Sequence, residues 1–138
     1  VDKFIGDAIM VMFGAPQSMS LEEQAVRSTS CGREMQLAMK GLNEKWQADG
    51  IPILKMRIGI HSGPAVVGNF GSAQRSDYTA IGPTVNLAAR IEAACSPGQV
   101  YVSESLENAL PSQTTDEAGI HQLKGVSGDV TLFRVRFE

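Results

Sequence analysis

Positive charge is scarce in this sequence, and so are aromatic residues. Lys and Arg number 12 against 15 Asp and Glu, for a formal net charge of −3, and aromatic residues make up 6% of the chain. General nucleic-acid binders carry basic patches, and sheet modules that read RNA stack bases on aromatic side chains. A nucleic-acid-binding ferredoxin-like module is therefore the least favoured function, and no nucleic acid is expected as a partner.

Long apolar runs are absent as well. No stretch approaches the roughly 18 apolar residues that a membrane-spanning helix needs, and no secretory leader pattern is present. The two cysteines, Cys31 and Cys95, fall in segments with helical patterning, which favours buried thiols over a disulfide or a metal pair. The expected location is cytoplasmic, and any membrane anchor would lie on a segment outside the given chain.

Common phosphate-binding and catalytic motifs are also missing. The chain contains neither G-x-x-x-x-G-K-[ST] nor G-x-G-x-x-G, so any phosphate would be held by side chains and a metal ion. His61 precedes Ser62, but the two are adjacent in sequence and no G-x-S-x-G elbow is present. This pattern argues against a hydrolase.

What the sequence does contain is a series of strand and helix patterns. With 138 residues, 43% of them hydrophobic, it suits one domain or an incomplete one. The predicted order is β-β-α-β-β-α-β-(α)-β-β, an α/β chain that forms an α+β sandwich of ferredoxin-like type, with a mostly antiparallel sheet and helices on one face. Beyond the first hairpin, strands are predicted over residues 53–60, 65–68, 78–81, 99–103, 120–123 and 130–137, with an exposed loop or arm over 69–77.

The first hairpin is marked by "KFIGDAIMVMFG", residues 3–14. Gly6 and Asp7 stand between two apolar runs, and glycine at the first central position suits a type II′ turn. Aspartate is a common turn residue, so the turn alone explains Asp7. The alternative is that its carboxylate is held at the tip for chemistry.

Two long helices are predicted. Ser20 and Glu23 have capping-box spacing at the start of a helix that extends to about residue 48. Its apolar positions recur every three or four residues and predict an apolar face made of Cys31, Met35, Ala38, Leu42 and Trp46, which no strand or helix ahead of the first hairpin is present to bury. Pro83 suits the first position of the second helix, which is predicted to extend to residue 95.

Asn86 and Arg90 lie four residues apart on that second helix. They therefore share a face, which differs from the apolar stripe through Ala88 and Ile91. A carboxamide and a guanidinium held on a rigid helix can clamp a phosphate or ribose oxygen. The alternative is a solvated arginine with a local hydrogen bond.

Four segments occur in the order found in class III nucleotide cyclases: "KFIGDAIMVMFG", "MRIGIHSGPAVVGNFGS", "RSDYTAIGPTVNLAARIEAA" and "LKGVSGDVTLFRV". The sequence resembles the bacterial adenylate cyclase branch over nearly its whole length. The resemblance implies conversion of ATP to 3′,5′-cyclic AMP and pyrophosphate, with two divalent ions, Mg²⁺ or Mn²⁺, in a head-to-tail homodimer. It also implies an upstream sensor or regulatory domain in the full-length protein.

The same resemblance implies roles for individual residues. Asp7 matches a metal-binding aspartate, and Lys3 and Thr79 match two residues that select adenine. Asn86 and Arg90 match the pair that orients the ribose and stabilises the transition-state phosphate. Asp7 is expected to come from one subunit, and the other four residues from its partner.

Two further residues match phosphate contacts, and one part of the family pattern is missing. Arg57 matches an arginine that contacts the phosphates, and Lys124 is the candidate for a phosphate-binding lysine near the C-terminal hairpin. Val126 and Ser127 stand where some relatives place that lysine. The family's other metal aspartate lies in an F-x-D-I-x-G-F strand ahead of the hairpin, which this chain lacks. Residues 1–138 are therefore expected to be the C-terminal portion of an N-terminally truncated domain, without its first strand and helices.

Two alternatives stay open at this point. One is a pseudo-cyclase or fragment that only dimerises or regulates a partner. The other is a guanylate cyclase. Lys3 opposes the second, because an ammonium group can donate to adenine N1, whereas guanine N1 carries a hydrogen.

Overall fold

The computed structural model describes residues 3–5, 7–72 and 75–137. These residues form β1 (Lys3–Ile5), β2 (Ala8–Met10), α1 (Leu21–Ala48), β3 (Ile58–Ile60), β4 (Val66–Ser72), β5 (Arg75–Ile81), α2 (Pro83–Ala94), β6 (Val100–Ser103), α3 (Glu104–Glu107), β7 (Thr115–Gln122) and β8 (Asp129–Val135). None of the helices in this described part combines the length and the hydropathy needed to cross a membrane.

A four-stranded sheet forms the centre of the domain. Its strand order is β3-β6-β8-β7, with β3 parallel to β6 and the other two pairs antiparallel. Within the described residues, β1 with β2 and β4 with β5 form two-stranded antiparallel sheets of their own. The predicted α+β class with a mostly antiparallel sheet is confirmed.

Helices cover both faces of the central sheet. Strand residues alternate between faces, and in β6 Val100 and Val102 pack with Ala25 of α1, whereas Tyr101 packs with Ile91 of α2. All four residues of β6 are buried, as expected for a strand covered on both sides. The expectation that the helices pack on one face is therefore corrected, since α1 and α3 lie on one face and α2 on the other.

The first long helix, α1, begins where the sequence predicts. Ser20 is its N-cap, and the Ser20 hydroxyl accepts a hydrogen bond from the Glu23 backbone N–H at 3.1 Å. The Glu23 carboxylate, expected to complete the capping box, instead pairs with Arg27 one turn along the helix at 2.9 Å. The cap is thus made by one side chain rather than by two.

The face of α1 that is buried is not the predicted apolar face. Leu42, at the centre of the predicted apolar stripe, is 43% exposed. Small residues bring the helix close to the sheet: a Cβ atom on Gly32 would lie 3.2 Å from Val100 Cγ1. The buried stripe lies roughly 100° around the helix from the predicted one, at 3.6 residues per turn, and consists of Ala25, Ser28, Thr29, Gly32 and Gln36.

Two strand predictions are corrected as well. The strand expected over residues 53–60 is limited to Ile58–Ile60. Before it, the Asn43 side chain donates to the Leu54 carbonyl at 2.6 Å and accepts from the Leu54 N–H at 2.9 Å, in place of a strand partner. The exposed loop or arm expected over 69–77 is part of a hairpin, in which β4 and β5 pair. Its polar, glycine-containing sequence lacks the alternation on which strand prediction relies.

Candidate active site

Helix α2 carries the predicted pair, Asn86 and Arg90, on its exposed side. The helix begins after Gly82, which has a φ of +130° that favours glycine, and Pro83 takes the first position as predicted. Ile91 is fully buried against the sheet, whereas Asn86 and Arg90 are both exposed. Arg90 makes no ion pair within the described ranges, so its guanidinium can bind an external anion.

The position of α2 relative to the sheet is set at Gly59 of β3. A Cβ atom at this position would overlap the backbone nitrogen of Glu92 and lie 2.8 Å from the carbonyl oxygen of Ala88. The helix backbone therefore lies directly against the strand backbone, with no side chain between them. The sequence reasoning missed this role, although glycine at the centre of the short "IGI" strand is the signal that could have shown it.

Arg57, just before β3, lies against the C-terminal half of α2. Its Nε atom is 3.8 Å from the Glu92 carboxylate, and its Nη1 donates to the Ala93 carbonyl at 3.4 Å. Both charged side chains are partly exposed, and such a pair contributes about 1 kcal/mol or less. The guanidinium is therefore held weakly enough to change partners.

Thr79 and Lys3 are described to different extents. Thr79 lies in β5 opposite Gly68, is only 3% exposed and interacts with another group of the protein. The backbone of Lys3 lies in β1 and pairs with Met10, but its side chain lies outside the described residues. The structure thus shows that Lys3 lies in β1 and Thr79 in β5, and β5 leads into α2.

Asp7 lies in the turn between β1 and β2, as the sequence predicts. Ile5 pairs with Ala8, which leaves a two-residue connection, and the Asp7 side chain is exposed. Gly6, which was expected to set the turn type, lies outside the described residues. In the ranges that are described, no group of three or more His, Cys, Asp or Glu side chains gathers to form a metal site.

Lys124 lies in the connection between β7 and β8 and is exposed. It follows Leu123, which is buried in the same cluster as Ile91. Val126, one of the positions where relatives place a lysine, packs against this cluster, and its N–H donates to the Leu123 carbonyl at 3.1 Å. Val126 therefore has a packing role, and Lys124 keeps its ammonium group free in solvent.

One cleft lies away from all of these residues. It has a volume of about 420 Å³ and is lined in part by Asp116, Arg134 and Arg136. Arg136 donates two hydrogen bonds to the Asp116 carboxylate, at 2.6 and 2.9 Å, and these bonds lower the pKa of Asp116. We do not assign the active site here, because the arginine side chain is already engaged with an internal carboxylate.

His61 has a partner that its sequence neighbour did not suggest. Its Nδ1 atom lies 2.7 Å from the hydroxyl oxygen of Ser103, at the end of β6, rather than facing Ser62. The ring is partly buried, and this burial lowers the pKa of His61 from its ordinary value of 6.5. His61 therefore pairs with Ser103 and not with Ser62.

Two solved structures of nucleotide cyclases are similar to this chain over almost its whole length. The adenylyl cyclase CyaB from P. aeruginosa is 38% identical and superposes with a TM-score of 0.92, over 98% of this chain and 70% of that chain. The guanylyl cyclase Cya2 is 40% identical, with a TM-score of 0.85 over 97% of this chain and 68% of that chain.

Sequence comparisons give the same family. Adenylate cyclase 1 of Rhizobium meliloti (strain 1021) is 37% identical over 90 residues, which are 65% of this chain but 13% of that protein. The chain thus spans a small part of this curated relative. Residues 3–136 match the family described as "Adenylate and Guanylate cyclase catalytic domain". From the shared fold and this match over almost its full length, the chain belongs to the adenylate and guanylate cyclase catalytic domain family.

Proposed function

We propose that this domain is an adenylate cyclase catalytic domain, which converts ATP to 3′,5′-cyclic AMP and pyrophosphate. The observation that carries the proposal is the exposed Asn86–Arg90 pair on α2, a helix seated directly on the sheet at Gly59. Family membership supplies the reaction class. A rigid helix with a carboxamide and a free guanidinium on one face supplies groups that the reaction needs.

The reaction places specific demands on these two side chains. The ribose 3′-oxygen attacks the α-phosphorus, its proton is released to solvent, and the bond to the bridging oxygen breaks as pyrophosphate leaves with the electron pair. Negative charge increases on the α-phosphoryl oxygens, and the Arg90 guanidinium can stabilise it with several N–H donors. Asn86 can both donate and accept, which suits it to hold the ribose for in-line attack.

Arg57 and Lys124 are proposed as further phosphate contacts. Arg57 would exchange its weak pairing with Glu92 for a phosphate oxygen, since its guanidinium is partly exposed. Lys124 is exposed in the β7–β8 connection and can approach a phosphate as a mobile point charge.

The base is proposed to be adenine because of Lys3 and Thr79. The Lys3 ammonium can donate to adenine N1, and the Thr79 hydroxyl can accept from the exocyclic amine. Thr79 is buried at the strand that leads into α2, so its hydroxyl is a fixed group. GTP is the second candidate substrate, because the structural neighbour Cya2 is a guanylyl cyclase at 40% identity.

Asp7 is proposed as a ligand of the two divalent ions, Mg²⁺ or Mn²⁺, that this family generally uses. Its exposed carboxylate fits, since Mg²⁺ in proteins is commonly bound by one or two carboxylates together with water and substrate phosphates. When bound, such ions neutralise phosphate charge and favour in-line displacement. The described part of the chain gathers no larger cluster of ligands, which fits a site completed by the nucleotide and by further protein groups.

A head-to-tail homodimer is proposed as the active form. Asp7 would come from one subunit, and Lys3, Thr79, Asn86 and Arg90 from the other. The base of the β4–β5 hairpin supports an interface, because its cross-strand pair Val66 and Ile81 is 62% and 46% exposed. Two such apolar pairs brought together would lose contact with water.

The test is cyclic nucleotide formation from ATP and from GTP, measured in parallel with Mn²⁺ on the wild-type chain and on Arg90→Ala. We expect the wild type to prefer ATP and the variant to lose about 100- to 1,000-fold in kcat, as when a transition-state donor is removed. Arg27→Ala is the matched control, because it removes another exposed guanidinium, on α1.

Each other outcome has a clear meaning. A preference for GTP would overturn the substrate assignment and leave the cyclase class. Near wild-type rates for Arg90→Ala would overturn its role. No product from either nucleotide would favour a pseudo-cyclase that only dimerises or regulates a partner.

A further inference from the structure

A chain of hydrogen bonds lies where β3 and β6 end side by side. The two strands are parallel and Ile60 pairs with Val102, so the next residues, His61 and Ser103, are neighbours. His61 Nδ1 is 2.7 Å from Ser103 Oγ, which is 3.1 Å from Ser105 Oγ. Ser103 is 4% exposed and also caps α3. These residues have no role in the proposed chemistry.

A count of donors and acceptors favours a hydrogen on one particular nitrogen of the histidine ring. Ser105 donates to the Ser62 carbonyl at 3.2 Å, and Ser103 accepts from the Leu106 N–H at 3.4 Å. If His61 Nδ1 were an acceptor, Ser103 would donate to it, and no hydrogen would remain between the two serine hydroxyls. With a hydrogen on Nδ1, each contact has one donor and one acceptor, from His61 to Ser103, Ser105 and the Ser62 carbonyl.

The loop over residues 62–64, which this series of hydrogen bonds holds at the Ser62 carbonyl, also contacts the start of α2. The Thr84 hydroxyl, in the first turn of α2, donates to the Pro64 carbonyl at 2.5 Å. A Cβ atom on Gly63 would lie 2.7 Å from Thr84 Oγ1 and 3.5 Å from His61 Nε2. The loop over residues 62–64 thus lies beside both the histidine ring and the helix that carries Asn86 and Arg90, with Gly63 and Pro64 exposed to solvent.

We propose that His61 is a positioning residue, which acts through the 62–64 loop to hold the first turn of α2, and that its ring is kept with the hydrogen on Nδ1. The catalytic part of this inference rests on the proposed cyclase function. His61 does not touch the reacting atoms. It fixes the loop, the loop fixes Thr84, and Asn86 and Arg90 follow on the same helix.

Protonation of His61 Nε2 would disturb this arrangement. Nε2 lies on the side of the ring that faces Gly63, since a Cβ atom on Gly63 would be 3.5 Å from it, and Gly63 is exposed, so protonation would place a solvated positive charge against the loop. In the described residues no ion pair involves His61: the first turn of α2 has no acidic or basic residue, and of the two acids of α3, Glu104 is exposed and Glu107 accepts from Thr115. Desolvation therefore lowers the pKa of His61 without an opposing charge, and acid should loosen the loop.

Two substitutions distinguish the contribution of the Nδ1–H hydrogen bond from the contribution of the size of the ring. His61→Asn places an amide N–H near the position of Nδ1–H and cannot titrate, whereas His61→Gln places its amide near Nε2. We expect His61→Gln to lower kcat about ten- to a hundredfold, as for a small misplacement of catalytic groups, with KM for ATP changed less. We expect the wild type to lose activity as the pH falls below 6.5, and we expect His61→Asn to restore most of kcat and to remove this loss.

The chain has two histidines, so His121→Asn is the control. His121 lies in β7 against Tyr101, and its replacement should leave the acid limb of the activity profile in place. Equal loss of kcat in His61→Asn and His61→Gln at pH 7.5, or an acid limb that persists in His61→Asn, would overturn the positioning role.

A measurement without activity keeps this inference separate from the proposed function. Nitrogen-15 NMR of the wild-type chain should show His61 with the hydrogen on Nδ1, and the Thr84 and Asn86 amide signals should shift as His61 titrates. A ring with the hydrogen on Nε2, or α2 signals that ignore the titration, would overturn the inference in an active or an inactive protein. Absence of cyclase activity with the expected NMR result would contradict only the proposed function.

Discussion

Helices α1 and α2 pack on opposite faces of the same sheet, and each is brought close to it by one glycine. In α1 the glycine belongs to the helix, and Gly32 lies over the side chain of Val100. In α2 it belongs to the sheet, and Gly59 lies against the helix backbone at Ala88 and Glu92. Side chains can adjust when a neighbour grows, but a backbone-to-backbone contact has little room to do so. The helix with the proposed catalytic pair is therefore the more rigidly placed of the two.

The largest effect is expected for Gly59→Ala, which tests the backbone-to-backbone contact between β3 and α2. The added methyl group would overlap the α2 backbone, so we expect a loss of about 3 kcal/mol in the free energy of unfolding, at the upper end for overpacking. Urea unfolding followed by circular dichroism measures this loss. Gly32→Ala is the comparison on the other face, and its contact with a movable Val100 side chain should cost about 1 kcal/mol. Equal losses in the two variants would contradict the difference between the two helices.

A smaller effect is expected where α1 is held by a polar group. The Gln36 side chain is buried and donates to the carbonyls of Met56 and Gln99, at 2.8 and 2.9 Å. Gln36→Leu would leave both carbonyls without this donor, and we expect a loss of about 2 kcal/mol in unfolding free energy, measured by urea unfolding. Gln47→Leu, at an exposed position of the same helix, should change stability by less than about 0.5 kcal/mol. A similar loss in both variants would show that the bridge is not the cause.

The smallest expected effect is a difference between the two helices in how their local stability depends on pH. The amide that holds α1 does not titrate, whereas the histidine beside the start of α2 does. Because the folded-state pKa of His61 is below 6.5, the unfolded chain binds more protons as the pH falls from 6.5 through the folded pKa. The contribution of neutral His61 to folding stability is thus fully present above pH 6.5, and it is lost as the pH falls through the folded-state pKa. Hydrogen exchange should show faster opening of α2 amides than of α1 amides at acid pH, and a uniform change would argue against a local effect.

The sequence predicted the elements whose signals are local. The cap at Ser20, the start of α2 at Pro83 and the hairpin around Asp7 depend on neighbouring residues, and all three are present in the structure. The exposed positions of Asn86 and Arg90 followed from helical spacing. Their roles, and the separation of Asp7 from them between subunits, were taken from family resemblance and stay predictions.

What the sequence could not show depends on contacts between distant residues. The buried face of α1 was not visible in the sequence, because it consists of small and polar residues outside the apolar stripe, and these allow a close approach to the sheet. Gln36 is buried only because the carbonyls of Met56 and Gln99 lie opposite it. In the same way, the partner of His61 is 42 residues away, so the adjacent Ser62 was the wrong serine to consider.

The direct passage from β5 to α2 has a consequence for altering this domain. Only Gly82, at φ +130°, separates the strand that carries Thr79 from the helix that carries Asn86 and Arg90. With the proposed roles, recognition of the base and stabilisation of the phosphate are coupled through this one residue. Its positive φ disfavours any residue with a side chain. Nucleotide preference should therefore be changed by side-chain replacement at Lys3 of β1 and Thr79 of β5, because a loop insertion at this junction would move the catalytic pair as well.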